Sequence, residues 1–246
     1  GEEDIYYVRV APLASQLLNI SSRADVLTGD KVAIAGFIVT GTAPKQVIIR
    51  GLGPSLAAAG VTGVLANPTL QLFQGNTAIA SNDNWKTKSD GTSQQAQVQA
   101  TGFAPKNNSE SAILTTLNPG SYTAILSGKN STTGIGLIEV YDLAPAVAAK
   151  LTNISTRGFV DTGNNVMIGG VIVGAGSGGG SRVVVRAIGP TLSGAGVQGV
   201  LADPILQLYN ANGTALASND NWKINDRTHA SQEAEVRASG RPPAND

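Results

Sequence analysis

The pentapeptide Ser-Asn-Asp-Asn-Trp occurs twice, at Ser81–Trp85 and Ser218–Trp222, and is the one polar cluster repeated intact. The side-chain oxygens of Asn82, Asp83 and Asn84, and of Asn219, Asp220 and Asn221, are hard donors of the kind Ca²⁺ takes. One carboxylate per loop is too few for tight binding without ligands from elsewhere. The same residues suit an Asx-rich turn whose side chains satisfy local amides while the Trp plugs the space beneath.

Other reactive residue types are scattered. His229 is the single histidine and reads as a polar residue on an exposed loop, near the place of Thr92 in the first copy. Acidic positions differ between copies, Asp30 facing Asn164, Asn67 facing Asp203 and Gln97 facing Glu235, so no duplicated acid and base pair is present. Nor is there a nucleophile with a base beside it, so the expectation is a protein that is not an enzyme and carries no cofactor other than the candidate Ca²⁺. Arg50 and Arg186 end matched segments, IIRGLGPSL and VVRAIGPTL, where a guanidinium would fix the Gly-Pro turn through carbonyls or take an anion. Gly169–Arg182, GGVIVGAGSGGGSR, has the glycines of a phosphate loop without its Lys-Ser/Thr ending and reads as a hairpin tip, with TGTAPK in its place in copy one.

Seventeen basic and seventeen acidic residues leave no net field to draw in a nucleic acid, and none is expected as a partner. Cysteine is absent, which removes thiolate sites and disulfides and weakly favours export. No apolar run reaches the roughly 18 residues of a membrane span, so no transmembrane segment is expected, and no signal peptide is visible.

The chain repeats itself. AGVTGVLANPTLQL from Ala59 recurs as AGVQGVLADPILQL from Ala195 with 11 of 14 positions identical. Asn19 and Asn153 head the matched NISSR and NISTR, 134 residues apart. That period is far longer than a solenoid unit, so each copy should be a domain. The expected division is an N-terminal strand or arm at 1–15, a complete repeat at 16–143, a linker at 144–150 and a truncated repeat at 151–246. Copy two lacks the counterpart of copy one's last three expected strands, within Ala112–Leu143.

Short β-branched runs bounded by Gly, Pro, Asn and Asp predict an all-β fold of two tandem antiparallel β-sandwich, jelly-roll-like domains, the second incomplete. Strands are expected at Val32–Val39, Gln46–Arg50, Thr69–Phe73, Ala112–Leu117, Ser121–Leu126 and Leu137–Tyr141, then at Val166–Val173, Arg182–Arg186 and Ile205–Tyr209. One helix per copy is expected, capped by Ser93 and by Ser231.

The NISxR, IRxxGPSL, SNDNW and PGSYTAILSG…GLIEVYDL motifs resemble tandem repeats of large secreted and surface proteins of environmental bacteria. The closing PGSYTA…GLIEVYDL also resembles bacterial pre-peptidase C-terminal domains, calcium-associated β-sandwiches. The resemblance implies a secreted or cell-surface bacterial protein used as a stalk, adhesive module or polymer subunit, with no enzymatic residues. The expected function is therefore a structural subunit of an extracellular filament or surface layer. Copies would join head to tail as the strand Ile5, Tyr6, Tyr7, Val8, Arg9 and Val10 completes the open second domain of a neighbour. The alternative is a carbohydrate- or protein-binding adhesive module.

Overall fold

The computed structural model describes residues 4–10, 17–174 and 181–243. Along these the elements run β1 (Asp4–Val10), β2 (Leu17–Val26), β3 (Ala33–Gly41), β4 (Lys45–Leu52), β5 (Pro68–Gln74), β6 (Thr77–Asn82), α1 (Gln95–Ala100), β7 (Ser111–Leu117), β8 (Gly120–Gly128) and β9 (Gly134–Asp142). The second copy supplies β10 (Ala149–Arg157), β11 (Ile168–Val173), β12 (Ser181–Ala187), β13 (Leu206–Tyr209), β14 (Ala215–Asn219) and α2 (Glu233–Ala238). The protein is all-β in character, and its strand ladders are antiparallel. It divides into two compact units, Ser15–Ala175 and a smaller one made of Gly1–Ala14 with Gly176–Asp246. This division does not follow the repeat, because β10 and β11 belong to the larger unit.

In the larger unit the strands pair in the order β6-β5-β8-β3-β10-β2-β9-β4-β7, with β11 added on β2. Alternation sets which face of each strand is buried. Ala33, Ala35, Phe37 and Val39 of β3 turn inward at every second position, as do Tyr122, Ala124 and Leu126 of β8. They pack with Leu70 and Leu72 of β5, Val47 and Ile49 of β4 and Ile138 and Val140 of β9 in one core. The sheet curls until its outer strands meet, the Ala112 amide of β7 donating to Asn82 Oδ1 of β6 at 2.9 Å. Ile48 faces the other way and joins Trp85, Val98 and Ala112 in a second, smaller core.

The first strands of the two copies are exchanged. β2 pairs with β11, and β10 pairs with β3. The register is the same in both ladders: Ser21 opposes Gly170 and Ser155 opposes Gly36, while Arg23 opposes Ile168 and Arg157 opposes Ile34. Matched residues also touch directly. Bridges join Leu17 to Leu151 and Asp25 to Phe159, and the Ser22 and Thr156 hydroxyls hydrogen-bond. Each of these pairs is separated by 134 residues, the offset of the repeat, which is what an approximate internal two-fold relation requires.

In the smaller unit β1 lies antiparallel on β12, Ile5 opposite Arg186 and Tyr7 opposite Val184. β13 and β14 form a hairpin, and Val236 of α2 packs on Trp222 with Val184 beside them.

Several expectations need correction. The helices begin at Gln95 and Glu233 with Gln94 and Gln232 as N-caps, and Ser93 and Ser231 reach only the next-but-one amides at 3.4 Å. TGTAPK is no hairpin tip, since β3 pairs with β8 and β10 while β4 pairs with β7 and β9. Its counterpart in copy two falls partly at 175–180, outside the described residues. The last residues of the 144–150 segment already belong to β10, with Ala149 buried. β2, β6, β10 and β14 come without the β-branched runs that marked the other strands.

Candidate functional site

The two SNDNW loops are built alike. Each starts where an outer hairpin strand ends, and each drops its Trp inward, Trp85 at 4% exposure and Trp222 at 0%. Trp85 donates its indole N–H to the Asn107 carbonyl at 3.1 Å. Asn82 is committed at both ends of its amide, Nδ2 donating to the Thr87 carbonyl at 2.7 Å and Oδ1 accepting from Ala112. Asn219 likewise gives Nδ2 to the carbonyls of Ile224 at 2.8 Å and Asn221 at 3.1 Å. Asp83 pairs with Lys129. The geometry is that of a loop stapled from within, and among the described residues no group of three or more His, Cys, Asp or Glu side chains gathers for a metal ion.

Matched glutamines complete the staple. Gln94 Nε2 donates to the Ala112 carbonyl at 3.0 Å, and Gln232 Nε2 donates to the Trp222 carbonyl at 2.9 Å. His229 is exposed with φ 54°, three residues before Gln232, and Gly91 stands three before Gln94 with φ 85°. The histidine therefore fills a left-handed turn position that copy one gives to glycine, a conformation His tolerates better than most residues.

Arg50 acts within the fold. Its Nε donates to Glu139 Oε2 at 2.9 Å, Nη1 to the Phe103 carbonyl at 2.9 Å and Nη2 to Glu139. Tyr141 donates to Glu139 Oε1 at 3.0 Å and stacks on Phe103. Burial, then the Glu139 charge, pushes the Tyr141 phenol above its ordinary value of 10.0. Arg186 is exposed, and by register faces Ile5 where Arg50 faces Glu139.

Three buried groups carry no mark in the sequence. Glu110, fully buried, accepts through Oε1 from the Gly53 amide at 3.0 Å, the Ser55 amide at 2.8 Å and the Ser55 hydroxyl at 2.6 Å. It thereby holds the Gly-Pro turn that Arg50 was expected to hold. Gly53 is required there because a Cβ would strike the Leu65 carbonyl, and Gly189 meets the Leu201 carbonyl in the same way. Lys45 and Asp142, both fully buried side chains, form an ion pair at 2.8 Å.

The strand Ile5–Val10 lies along β12 of its own chain. It stands as β9 stands on β4: Val184 matches Ile48, 136 residues apart, and the residues opposite them are Tyr7 and Tyr141. In the same unit the hairpin β13·β14 corresponds to β5·β6, but among the described residues only β5 has a second neighbour, β8. Leu65, Leu70 and Leu72 are buried in copy one; Leu206 and Leu208 are half-buried and Leu201 is 42% exposed.

No protein family, curated protein or solved structure matches this chain. Among the described residues no helix is long and apolar enough to cross a membrane.

Proposed function

We propose that this chain is a secreted structural subunit of an extracellular filament or surface layer, made of tandem β-sandwich repeats that join head to tail by β-strand complementation. One observation carries the reading: in the sheets of each copy, strands take a neighbour from outside that copy. β1 supplies for β12 the neighbour that β9 supplies for β4, and β2 and β10 are traded between copies. An edge that accepts a strand from 171 to 183 residues away can accept the same strand from a neighbouring subunit, because main-chain hydrogen bonds and alternate side-chain pockets do not record chain identity. The donor edge and acceptor edge are different surfaces, so the contact is heterologous and propagates as an open fibre wherever its rotation does not close a ring.

Electron microscopy with light scattering across a concentration series tests this. Full-length protein should form regular polymers, and a variant lacking Gly1–Val10 should not, while its Trp85 fluorescence stays native. Polymers unchanged by the deletion would overturn the strand-exchange mechanism, and a monomer at all concentrations would overturn the filament.

A second reading is an adhesive module for carbohydrate or protein. It is favoured by an open groove of about 440 Å³ beside the first SNDNW loop, lined by Gln71, Ser81, Asp83, Asn84 and Lys88 among others. Saturable glycan binding by a monomer, weakened by Asp83→Ala, would select it.

A further inference from the structure

We infer that the edge of β13 left unpaired among the described residues is a docking site for one extended strand carrying the alternation of Gly120–Gly128, Gly-Ser-Tyr-Thr-Ala-Ile-Leu-Ser-Gly. This rests on the assembly reading and names the partner's chemistry. The established β5·β8 interface in copy one is the template for its counterpart. There Leu70 opposes Leu126, Leu72 opposes Ala124 and Gln74 opposes Tyr122, so the β8 side runs large, small, large along the pair and all but Gln74 are buried. β13 repeats the acceptor side: Leu206 and Leu208 stand where Leu70 and Leu72 do, 136 residues on, with β14 in place along one edge as β6 is along β5.

The acceptor side is kept, yet its inward leucines remain partly in water. Tyr, Ala and Leu at alternate positions of an incoming strand would cover them in the copy-one register, and a one-residue slip would turn those side chains to the wrong face. Copy two also sets its own preference. Thr69 hydrogen-bonds to the Ser127 hydroxyl at 2.9 Å and to the Ser127 carbonyl at 3.2 Å, but its counterpart Ile205 is 67% exposed and has no hydroxyl. The segment that fits β13 best therefore has an apolar residue where β8 has Ser127.

The test is fluorescence anisotropy of the labelled nine-residue Gly120–Gly128 peptide titrated with the full-length chain. Expected are saturation at one peptide per chain, about two- to five-fold tighter binding when the peptide's Ser127 is replaced by Val, and at least about tenfold weaker binding to the Leu208→Asp variant. A peptide of the same composition with its alternation scrambled should not bind, and this control holds even if Leu208→Asp disturbs the hairpin. Absence of saturable binding, or equal binding of the scrambled peptide, overturns the docking site. Polymers that form normally while the peptide fails to bind would leave strand complementation by β1 standing. Peptide binding by a protein that never polymerises would retain this site and remove the filament.

Discussion

Lys45 and Asp142 are a fully buried pair whose spare valences are also used: Lys45 donates to the Ala144 carbonyl at 2.8 Å, and Asp142 Oδ1 accepts from the Ala144 amide at 2.8 Å. Removing one member strands the other charge in the core. Lys45→Met is expected to cost roughly 3–5 kcal/mol in urea unfolding, and adding Asp142→Leu should recover much of the loss. A double variant no more stable than the single one would show that the pair acts independently. Tyr141 gives a pH signature. Its folded-state ionisation lies above the ordinary 10.0, so the fold favours the neutral phenol. That contribution is complete below about pH 10 and is lost as pH rises through the folded value. Alkaline unfolding should therefore follow tyrosinate absorbance, and Tyr141→Phe should reduce the pH dependence there while losing the bonds to Glu139 and Arg50; an unchanged alkaline limb would refute the assignment. His229→Gly should leave stability unchanged or raise it by about 1 kcal/mol, because glycine adopts the left-handed turn without strain. None of the buried partners was legible in the sequence. Glu110, Lys45 and Asp142 are ordinary letters until topology brings together residues 55 to 97 positions apart. The role of Trp as an inward plug was legible because a whole pentapeptide recurs around it.

At the scale of elements, strands whose inward residues are β-branched or large could be read directly. β3, β4, β5, β7 and β8 lie within a few residues of expectation because alternation or apolar runs mark them. β2 and β10 escaped, since LLNISSRADV and AKLTNISTR are rich in Asn, Ser, Thr and Arg. Their polar side chains are used inside the fold: Asn19, buried, donates to the Val140 carbonyl at 3.3 Å, and Ser22 meets Thr156. Pairing between copies could not be read from periodicity at all, because each exchanged ladder has the same local pattern as an ordinary hairpin. The exchange is directly testable because the chain contains no cysteine. Ser22→Cys with Thr156→Cys should oxidise to an intrachain disulfide at every protein concentration, seen as a faster monomer band without reductant. A pair that stays reduced, or that links only separate chains, would place β2 beside a different strand.

At the scale of the whole molecule, the two units should differ in resistance to unfolding. The larger buries side chains from eight strands in one continuous core. Among the described apolar side chains of the smaller unit, prolines aside, only Trp222 and Val236 are buried, while Leu201, Ile205, Tyr209 and Leu216 are exposed. Apolar burial contributes about 25 cal/mol per Å², so the smaller unit has much less to set against the entropy of ordering its chain. Each unit holds one tryptophan, which lets the chain report on both parts separately. With Trp85→Phe the fluorescence follows the smaller unit, and with Trp222→Phe it follows the larger. The first transition should come at lower urea than the second, and coincident transitions in the two variants would mean one cooperative block. If the nine-residue peptide covers Leu206 and Leu208, adding it must raise the first midpoint and leave the second in place, since a ligand stabilises only the unit that binds it. Movement of both midpoints together would show that closing the β13 edge is felt by the entire chain, and that assembly and folding are coupled throughout.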